Sequence, residues 1–158
     1  MNTARILVAA VAASLFSGPV FAAEVSKHLD VAASPDAAWA AVGEFCAIGD
    51  WHPAIEKCEL SNQGKDKIRT LTLKGGGTIV EKLVTWEPKK HSYTYAIVSS
   101  PLPVSDYVST LSVKAQGQGS RLSWKGKFSP VGDEKTAKDT VAGIYTDGLA
   151  GIAKKAGS

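Results

Sequence analysis

Residues 134 to 156 constrain the fold most, because their pattern is that of a long amphipathic helix. Apolar residues recur at spacings of three and four, at Ala137, Val141, Ile144, Tyr145, Leu149 and Ile152. Such spacing places them on one helical face, and that face must be buried. Asp133 and Glu134 suit a helix N-terminus, while Lys154, Lys155 and Gly157 suit its end. The rest of the chain must therefore supply an apolar cover for this helix.

Gly148 interrupts the apolar face of the predicted helix. It lies one turn from Ile144 and Ile152, and Gly143 and Gly151 stand on either side. A glycine within a helix costs about 1 kcal/mol relative to alanine. Gly148 therefore marks either a close approach of another backbone or space that is left open. We expect open space.

The segments before this helix alternate in the manner of β-strands. Seven strands are predicted, at residues 25–31, 55–61, 67–74, 78–86, 92–99, 104–115 and 121–129. Between the first two strands, Ser34-Pro35-Asp36 starts a short helix that ends near Phe45. Gly49 and Pro53 restrict the next segment to a helical turn or a structured loop.

The order of these elements predicts the fold class. Short separators rich in glycine and proline favour antiparallel neighbours among the last six strands. A single curved sheet must bury its inner face, and the C-terminal helix is the only sufficient cover. The sequence therefore predicts an α+β fold in which a seven-stranded curved antiparallel sheet wraps around a long C-terminal helix, with two short helices after the first strand.

The N-terminal segment has the composition of a secretory signal peptide. Arg5 precedes an apolar run at residues 6–16, and Gly18-Pro19 breaks it before Ala22 and Ala23. Cleavage after either alanine is expected, so residues 1–23 are assigned to the signal and 24–158 to one domain. The run is shorter than the ~20 residues of a spanning helix, so we expect no stable membrane anchor. The predicted location is periplasmic or secreted.

The two cysteines, Cys46 and Cys58, have three interpretations. In an oxidising compartment they would usually form a disulfide, and the alternative is a pair of buried thiols. Together with His52 they also suggest zinc ligands, but the six-residue spacings match no standard zinc motif and a fourth ligand is not evident. We therefore expect no metal. The net charge of +3 with interspersed acids and bases gives no reason to expect a nucleic acid partner.

Residues two apart in a strand share a face, and several of the more apolar faces carry a polar side chain. Arg69 shares a face with Leu71, and Glu81 with Ile79. A buried unpaired charge is costly, so Arg69 and Glu81 must pair, meet water or contact a ligand. An enclosed and partly polar cavity accounts for this pattern. An ordinary cross-strand ion pair, on the solvent side if the parity is reversed, accounts for it as well.

Several segments together resemble the START-like helix-grip superfamily called SRPBCC, and in particular its polyketide cyclase/dehydrase branch. They are the helix of residues 34–39, the turn at 45–52, the Ile68-Arg69 strand and the glycines after it, and the segments 80–83, 106–110 and 122–124. The resemblance covers residues 24–158. It implies a deep apolar cavity for a lipid-like or aromatic ligand.

The resemblance also implies which polar residues face that cavity. In the plant abscisic-acid receptors, which are related to this branch, a basic residue after the first helices, an arginine, a glutamate and a tyrosine do so. The matching positions here are His52, Arg69, Glu81 and Tyr107. The loop at 99–103 departs from the gate residues of the receptors, so a hormone-receptor function is not implied. The complete set of predicted ligand-binding residues is His52, Arg69, Leu71, Glu81, Tyr95, Tyr107, Ser109, Trp124, Ile144 and Gly148.

Two functions follow as hypotheses. The first is an exported binding protein that holds a hydrophobic or aromatic small molecule in the cavity. The second is a cofactor-free cyclase or dehydratase that uses His52 or Glu81 as acid or base and Tyr107 as a hydrogen-bond donor. No nucleophile motif or phosphate-binding loop occurs in the sequence, so no cofactor is expected. The residues identify no protein partner.

Overall fold

A computed structural model describes residues 23–157. The elements are β1 (Ala23–Val31), α1 (Pro35–Val42), α2 (Ile48–Trp51), β2 (Ile55–Gln63), β3 (Asp66–Leu73), β4 (Thr78–Glu87), β5 (Ser92–Ser99), β6 (Val104–Gln116), β7 (Gly119–Pro130) and α3 (Glu134–Lys155), with a 3-10 turn at Pro88–Lys90. The predicted signal peptide lies outside the described residues except for Ala23, which begins β1.

The seven strands form one antiparallel sheet in the order β1-β7-β6-β5-β4-β3-β2. Consecutive strands from β2 to β7 are neighbours, whereas β1 pairs with β7 at the opposite edge from β2. The segment with α1 and α2 therefore crosses from one edge of the sheet to the other. Helix α3 packs across the concave face, with most of its contacts to β1 and β7. This arrangement confirms the predicted α+β helix-grip fold.

The helix ends follow the chemistry of their capping residues. At the starts of α1 and α3, the side chains of Ser34 and Asp133 accept hydrogen bonds from the backbone N–H groups of Ala37 and Thr136. Gly43 ends α1 with a φ of 67°, a left-handed conformation that glycine adopts without steric cost. Helix α1 therefore stops before Phe45, earlier than the sequence pattern predicted.

The inner face of the sheet carries the residues that strand parity assigned to it. Leu111, Leu122 and Phe128 are completely buried, and Trp124 is 1% exposed. The charged pair is buried with them, because Arg69 is 0% and Glu81 4% exposed. The parity prediction is therefore confirmed. The two residues do form the cross-strand ion pair that was the alternative, and only its placement on the solvent side is wrong.

The glycines of α3 have a different role from the one expected. A Cβ built at Gly148 would lie 2.4 Å from Cζ3 of Trp124 and 2.9 Å from Cδ2 of His52, so no space is open there. A Cβ at Gly151 would lie 1.8 Å from the carbonyl oxygen of Trp51. The expectation of open space at Gly148 is wrong, because Gly148 and Gly151 allow the Trp51-His52 segment to approach the helix backbone.

The connection that leads into α2 is attached to the sheet by a covalent bond. Cys46 and Cys58 form a disulfide between the α1–α2 connection and β2, with Cα atoms 5.6 Å apart. The indole Nε1 of Trp51 donates to the carbonyl oxygen of Val42 at 3.0 Å. The short helix is therefore held in place from both sides.

Candidate functional site: a cavity between the sheet and the C-terminal helix

A cavity of about 220 Å³ lies between the concave face of the sheet and α3. Ten of its sixteen wall residues are aliphatic, and the other six are His52, Glu81, Tyr95, Tyr107, Trp124 and Thr140. Helix α2, strands β2 to β7 and helix α3 all contribute side chains. An apolar pocket with a few converging polar groups is the usual form of a small-molecule site.

Glu81 is the charged member of the wall, and Arg69 lies behind it. The two residues face each other across β3 and β4, and Nε of Arg69 donates to Oε2 of Glu81 at 2.6 Å. Nη1 of Arg69 donates to the carbonyl oxygen of Phe45, whose ring lies 4.1 Å from the guanidinium carbon. Arg69 therefore connects the sheet to the α1–α2 connection and does not line the cavity.

Burial and pairing act in opposite directions on the protonation of this pair. Burial raises the pKa of the Glu81 carboxyl, and the adjacent Arg69 guanidinium counteracts that rise. Burial would lower the pKa of Arg69, but the Glu81 carboxylate outweighs it and the pKa is raised. Arg69 thus stays charged, and Glu81 is its buried counterion.

His52 has both ring nitrogens engaged by the backbone. The Ala54 N–H donates to Nδ1 at 3.2 Å, so the other nitrogen carries the proton, and Nε2 donates to the Ile144 carbonyl oxygen at 3.1 Å. Burial lowers the pKa of His52, although the bond to Ile144 opposes that shift. His52 is therefore neutral near pH 7 and fastens α2 to α3.

Three tyrosine hydroxyls meet beside the cavity. Tyr107 bonds to Tyr145, Tyr145 lies 2.9 Å from Oγ of Ser109, and Tyr95 lies 3.4 Å from Tyr107. Trp124 Nε1 donates to the Tyr95 hydroxyl at 3.1 Å. The five side chains form one continuous hydrogen-bonded network.

Burial keeps these phenols protonated. It raises the pKa of Tyr95 and of Tyr107 well above the ordinary value, and it raises the pKa of Tyr145 to about 12. Gly126 makes the position of Tyr145 possible, because a Cβ at Gly126 would lie 2.1 Å from the Tyr145 oxygen.

The structure brings most of the predicted site residues to the cavity wall. Seven of the ten line it, namely His52, Leu71, Glu81, Tyr95, Tyr107, Trp124 and Ile144. The other three, Arg69, Ser109 and Gly148, do not line it. Arg69 and Gly148 lie against the wall residues Glu81 and Trp124, and Ser109 contacts Tyr145, which is itself outside the wall.

Nine wall residues were not among the predicted set. They are Ile48, Ala54, Ile55, Leu73, Ile79, Ile97, Leu102, Thr140 and Val141. Strand parity contained a signal for Leu73, Ile79 and Ile97, because they share faces with Leu71, Glu81 and Tyr95. Leu102 and Ala54 lie in connections, where the sequence contains no comparable periodic signal. Tyr145, which joins the polar network, was predicted only as a core residue of α3.

The described residues contain neither a metal-binding cluster nor a membrane-spanning helix. Within residues 23–157, no group of three or more His, Cys, Asp or Glu side chains is arranged to hold a metal ion. No helix in this part of the chain has the length and apolar composition needed to cross a membrane.

Comparison with solved structures supports the same architecture. XoxI from Bacillus cereus is 33% identical, with a TM-score of 0.78 over 84% of this chain and 94% of that one. An uncharacterized protein from Bacillus thuringiensis is 32% identical, with a TM-score of 0.79 over 86% of this chain and 100% of that one. The ZhuI aromatase/cyclase from a Streptomyces species shares the fold at 15% identity, with a TM-score of 0.69 over 85% of this chain and 93% of that one. No curated protein matches the sequence.

The sequence itself matches a family over nearly its whole length. Residues 22–157 match the family described as polyketide cyclase / dehydrase and lipid transport. The match contains every strand and helix of the structure and every residue of the cavity wall. The chain therefore belongs to the polyketide cyclase / dehydrase and lipid transport family.

Proposed function

We propose that this protein is an exported binding protein that holds a hydrophobic or aromatic small molecule between its sheet and α3. The observation that carries the proposal is the cavity of about 220 Å³ with a largely aliphatic wall. Filling such a cavity with an apolar molecule removes apolar surface of both partners from water, at roughly 25 cal/mol per Å². The family description, which includes lipid transport, agrees with this role.

The state of the polar groups favours binding over acid-base catalysis. His52 uses both ring nitrogens on backbone partners, so neither is free to exchange a proton with a ligand. Burial raises the pKa of Glu81, but its carboxylate is the counterion of Arg69 at 2.6 Å, so a proton placed on it would leave the buried guanidinium without a charged partner. These groups can orient a ligand without exchanging protons with it.

The alternative function is a cofactor-free cyclase or dehydratase that uses the same cavity. The Glu81 carboxylate and the Tyr95 and Tyr107 side chains border one apolar space, and that favours this alternative. A structural neighbour, ZhuI, is named an aromatase/cyclase. Turnover of an aromatic polyketide by the purified protein, with a pH dependence that disappears in His52→Asn, would establish catalysis and displace the carrier proposal.

Export remains part of the proposal and rests on the N-terminal sequence. Of the two cleavage points, the one after Ala22 retains Ala23, which is 5% exposed and lies in β1, where it pairs with Phe128 of β7. We therefore expect the mature chain to begin at Ala23. Cell fractionation and the intact mass of the exported protein test this expectation.

A pair of neighbouring residues on β5 allows a matched test of the cavity. Ile97 lines the cavity, whereas Val98 points to solvent and is 59% exposed. We expect the new indole of Ile97→Trp to occupy the cavity and that of Val98→Trp to lie in solvent, so that the cavity stays available to a ligand. Protein purified from its own host is examined by native mass spectrometry and solvent extraction.

An apolar molecule should accompany the unaltered protein and Val98→Trp, and it should be absent or strongly reduced in Ile97→Trp. Equal amounts of cargo in both variants would place any bound molecule outside the cavity. The absence of cargo from all three proteins, together with no uptake of added apolar molecules, would contradict the proposed function.

A further inference from the structure

We propose that the cavity selects a neutral apolar molecule that carries a hydroxyl group as a hydrogen-bond donor, such as a phenol or an alcohol, and discriminates against carboxylates. The inference rests on the proposed ligand-binding function and specifies its ligand class. It follows from the direction of the hydrogen bonds around the cavity, in which the protein itself uses the side-chain donors.

The donor and acceptor of each hydrogen bond can be assigned from one end of the tyrosine network. The Lys125 carbonyl oxygen can only accept, so the single hydroxyl hydrogen of Ser109 is donated to it, at 2.9 Å. Ser109 Oγ must then accept from the Tyr145 hydroxyl, 2.9 Å away. Tyr145 has no second hydrogen, so it accepts from Tyr107.

The same reasoning extends along the network to its other end. Because Tyr107 donates to Tyr145, the Tyr95 hydroxyl donates to Tyr107 across 3.4 Å. The Trp124 indole N–H, which can only donate, completes the series at Tyr95 across 3.1 Å. Tyr95, Tyr107 and Trp124 therefore have no hydrogen left for a ligand.

The remaining donors of the wall are engaged as well. His52 Nε2 donates to the Ile144 carbonyl oxygen, and the Thr140 hydroxyl donates to the Thr136 carbonyl oxygen at 2.8 Å. Arg69 Nη2 is buried without a hydrogen-bond partner, but Arg69 lies outside the wall. All the side-chain donors that line the described cavity are thus used by protein acceptors.

Acceptors, by contrast, remain available to a ligand. A carboxylate offers about four lone-pair positions, and one bond to Glu81 comes from Arg69 Nε. The hydroxyl oxygens of Tyr95 and Tyr107 each accept a single bond within the network. A ligand hydroxyl can therefore donate to Glu81 or to one of these oxygens, while a ligand acceptor finds no side-chain partner.

The charge balance excludes ionic ligands. Arg69 and Glu81 neutralise each other inside the fold, so a ligand carboxylate or ammonium would add an uncompensated charge to a low-dielectric space. A carboxylate would in addition face the acceptor oxygens of the wall. A neutral donor meets neither penalty.

The volume indicates molecules of one or two rings. A cavity of roughly 150 Å³ in another protein holds benzene, and the present cavity measures about 220 Å³. Four naphthalene derivatives of similar shape therefore serve as probes: 2-naphthol, which has a donor; 2-methoxynaphthalene, which has an oxygen but no donor; naphthalene itself; and 2-naphthoate.

Titration calorimetry with the unaltered protein at pH 7.5 tests the inference. We expect 2-naphthol to bind about ten- to a hundredfold more tightly than 2-methoxynaphthalene, as hydrogen bonds to charged groups require. The hydrocarbon should resemble the ether, and 2-naphthoate should bind most weakly. Ile97→Trp, which fills the cavity, should abolish binding of all four, whereas Val98→Trp should not.

A double variant identifies the acceptor. Replacing only one member of the buried ion pair leaves an uncompensated charge, so Arg69→Met is combined with Glu81→Leu. We expect this variant to lose at least half of the logarithmic preference for 2-naphthol over the ether, and this ratio of affinities is the readout whatever the affinity of the variant for the ether itself. The probe series uses the unaltered protein, so it remains decisive even if this variant does not fold.

The outcomes separate the inference from the proposed function. If the ether or 2-naphthoate binds as tightly as 2-naphthol, the donor preference is wrong and the apolar binding function stands. If none of the four probes binds and no cargo accompanies the protein, both proposals fail. An unchanged preference in a folded double variant would overturn the part assigned to Glu81.

Discussion

At the scale of single residues, two glycines of α3 predict opposite effects of the same substitution. In Gly148→Ala the new methyl group would meet Trp124 at 2.4 Å and His52 at 2.9 Å. Overpacking of this kind costs about 1–3 kcal/mol, more than the gain of about 1 kcal/mol in helix propensity. In Gly143→Ala the methyl group meets no atom within 4 Å, so only the gain remains.

Chemical denaturation of both variants measures this difference. We expect the free energy of unfolding to fall in Gly148→Ala and to rise by about 0.5–1 kcal/mol in Gly143→Ala. A stabilised Gly148→Ala protein would show that the helix and the Trp51-His52 segment are not in close contact.

His52 predicts a pH dependence of stability. Burial lowers its pKa in the folded protein, so the folded state binds fewer protons than the unfolded state. The contribution of His52 to folding stability is complete above its pKa in the unfolded state, about 6.5. This contribution is lost as the pH falls through its lower pKa in the folded state. Protonation of Nδ1 would also remove the acceptor of the Ala54 N–H.

Denaturation curves between pH 7.5 and 5 test this prediction. We expect stability to decrease over this range in the unaltered protein and to change much less in His52→Asn, which does not titrate there. The exposed carboxylates of Asp30 and Asp133 do not obscure the result, because their bonds to Arg121 and Thr136 lower their pKa values and they titrate at more acidic pH. The same slope in both proteins would assign the pH dependence to another group.

At the scale of elements, α2 depends on its attachments. A helix of four residues is not stable on its own. The disulfide fixes its preceding connection to β2, and Asp50 pairs with Lys155 of α3 at 3.3 Å. The exposed ion pair contributes little, so the disulfide and the packing against Gly151 hold the element.

Removing the disulfide should therefore destabilise the protein measurably. For cysteines 12 residues apart, the chain-entropy model gives about 3 kcal/mol. We expect the double variant Cys46→Ala/Cys58→Ala to melt at a lower temperature than the oxidised protein. A reductant should lower the melting temperature of the unaltered protein and leave the variant unchanged. Equal stability of the variant and the oxidised protein would contradict this assignment.

The elements also show where the local sequence is sufficient to predict the structure. The alternation of apolar and polar residues predicted the bounds of all seven strands to within a few residues. The capping residues Ser34 and Asp133 predicted where α1 and α3 begin. The end of α1 was missed by about one turn, because Phe45 continues the apolar pattern beyond the left-handed Gly43. The role of Gly148 was missed because the approach of α2 is a tertiary contact that no local pattern records.

At the scale of the whole molecule, an occupied cavity predicts a more stable protein. A ligand that binds only the folded state adds about 2.7 kcal/mol at a hundredfold excess over its dissociation constant. We expect the protein stripped of cargo by solvent extraction to melt below the protein as isolated, and added 2-naphthol to restore the difference. Ile97→Trp should show no such response. A stripped protein that melts like the isolated one would mean that the cavity is empty in the cell.

The site was predictable to the extent that it lies on regular elements. Strand parity placed Leu71, Glu81, Tyr95 and Tyr107 on the concave face, and the resemblance added His52. Strand parity predicts on which side of the sheet Arg69 lies, but not whether another segment covers it. In the structure Phe45, in the α1–α2 connection, covers Arg69, so the prediction that Arg69 contacts the ligand did not follow from parity. The direction of the hydrogen bonds depends on Tyr145 and on a backbone oxygen, so sequence alone could not give it.

The three glycines within α3 also affect the order in which the chain refolds. Each lowers the stability of the isolated helix by about 1 kcal/mol, whereas β5, β6 and β7 are joined in sequence and need only local contacts to pair. We therefore expect the antiparallel unit of β5, β6 and β7 to form early. Helix α3 should dock late, once the sheet offers a surface to pack against. Closure of the cavity would then be a final step, and an apolar molecule present during refolding would be enclosed at that moment without having to enter a finished protein.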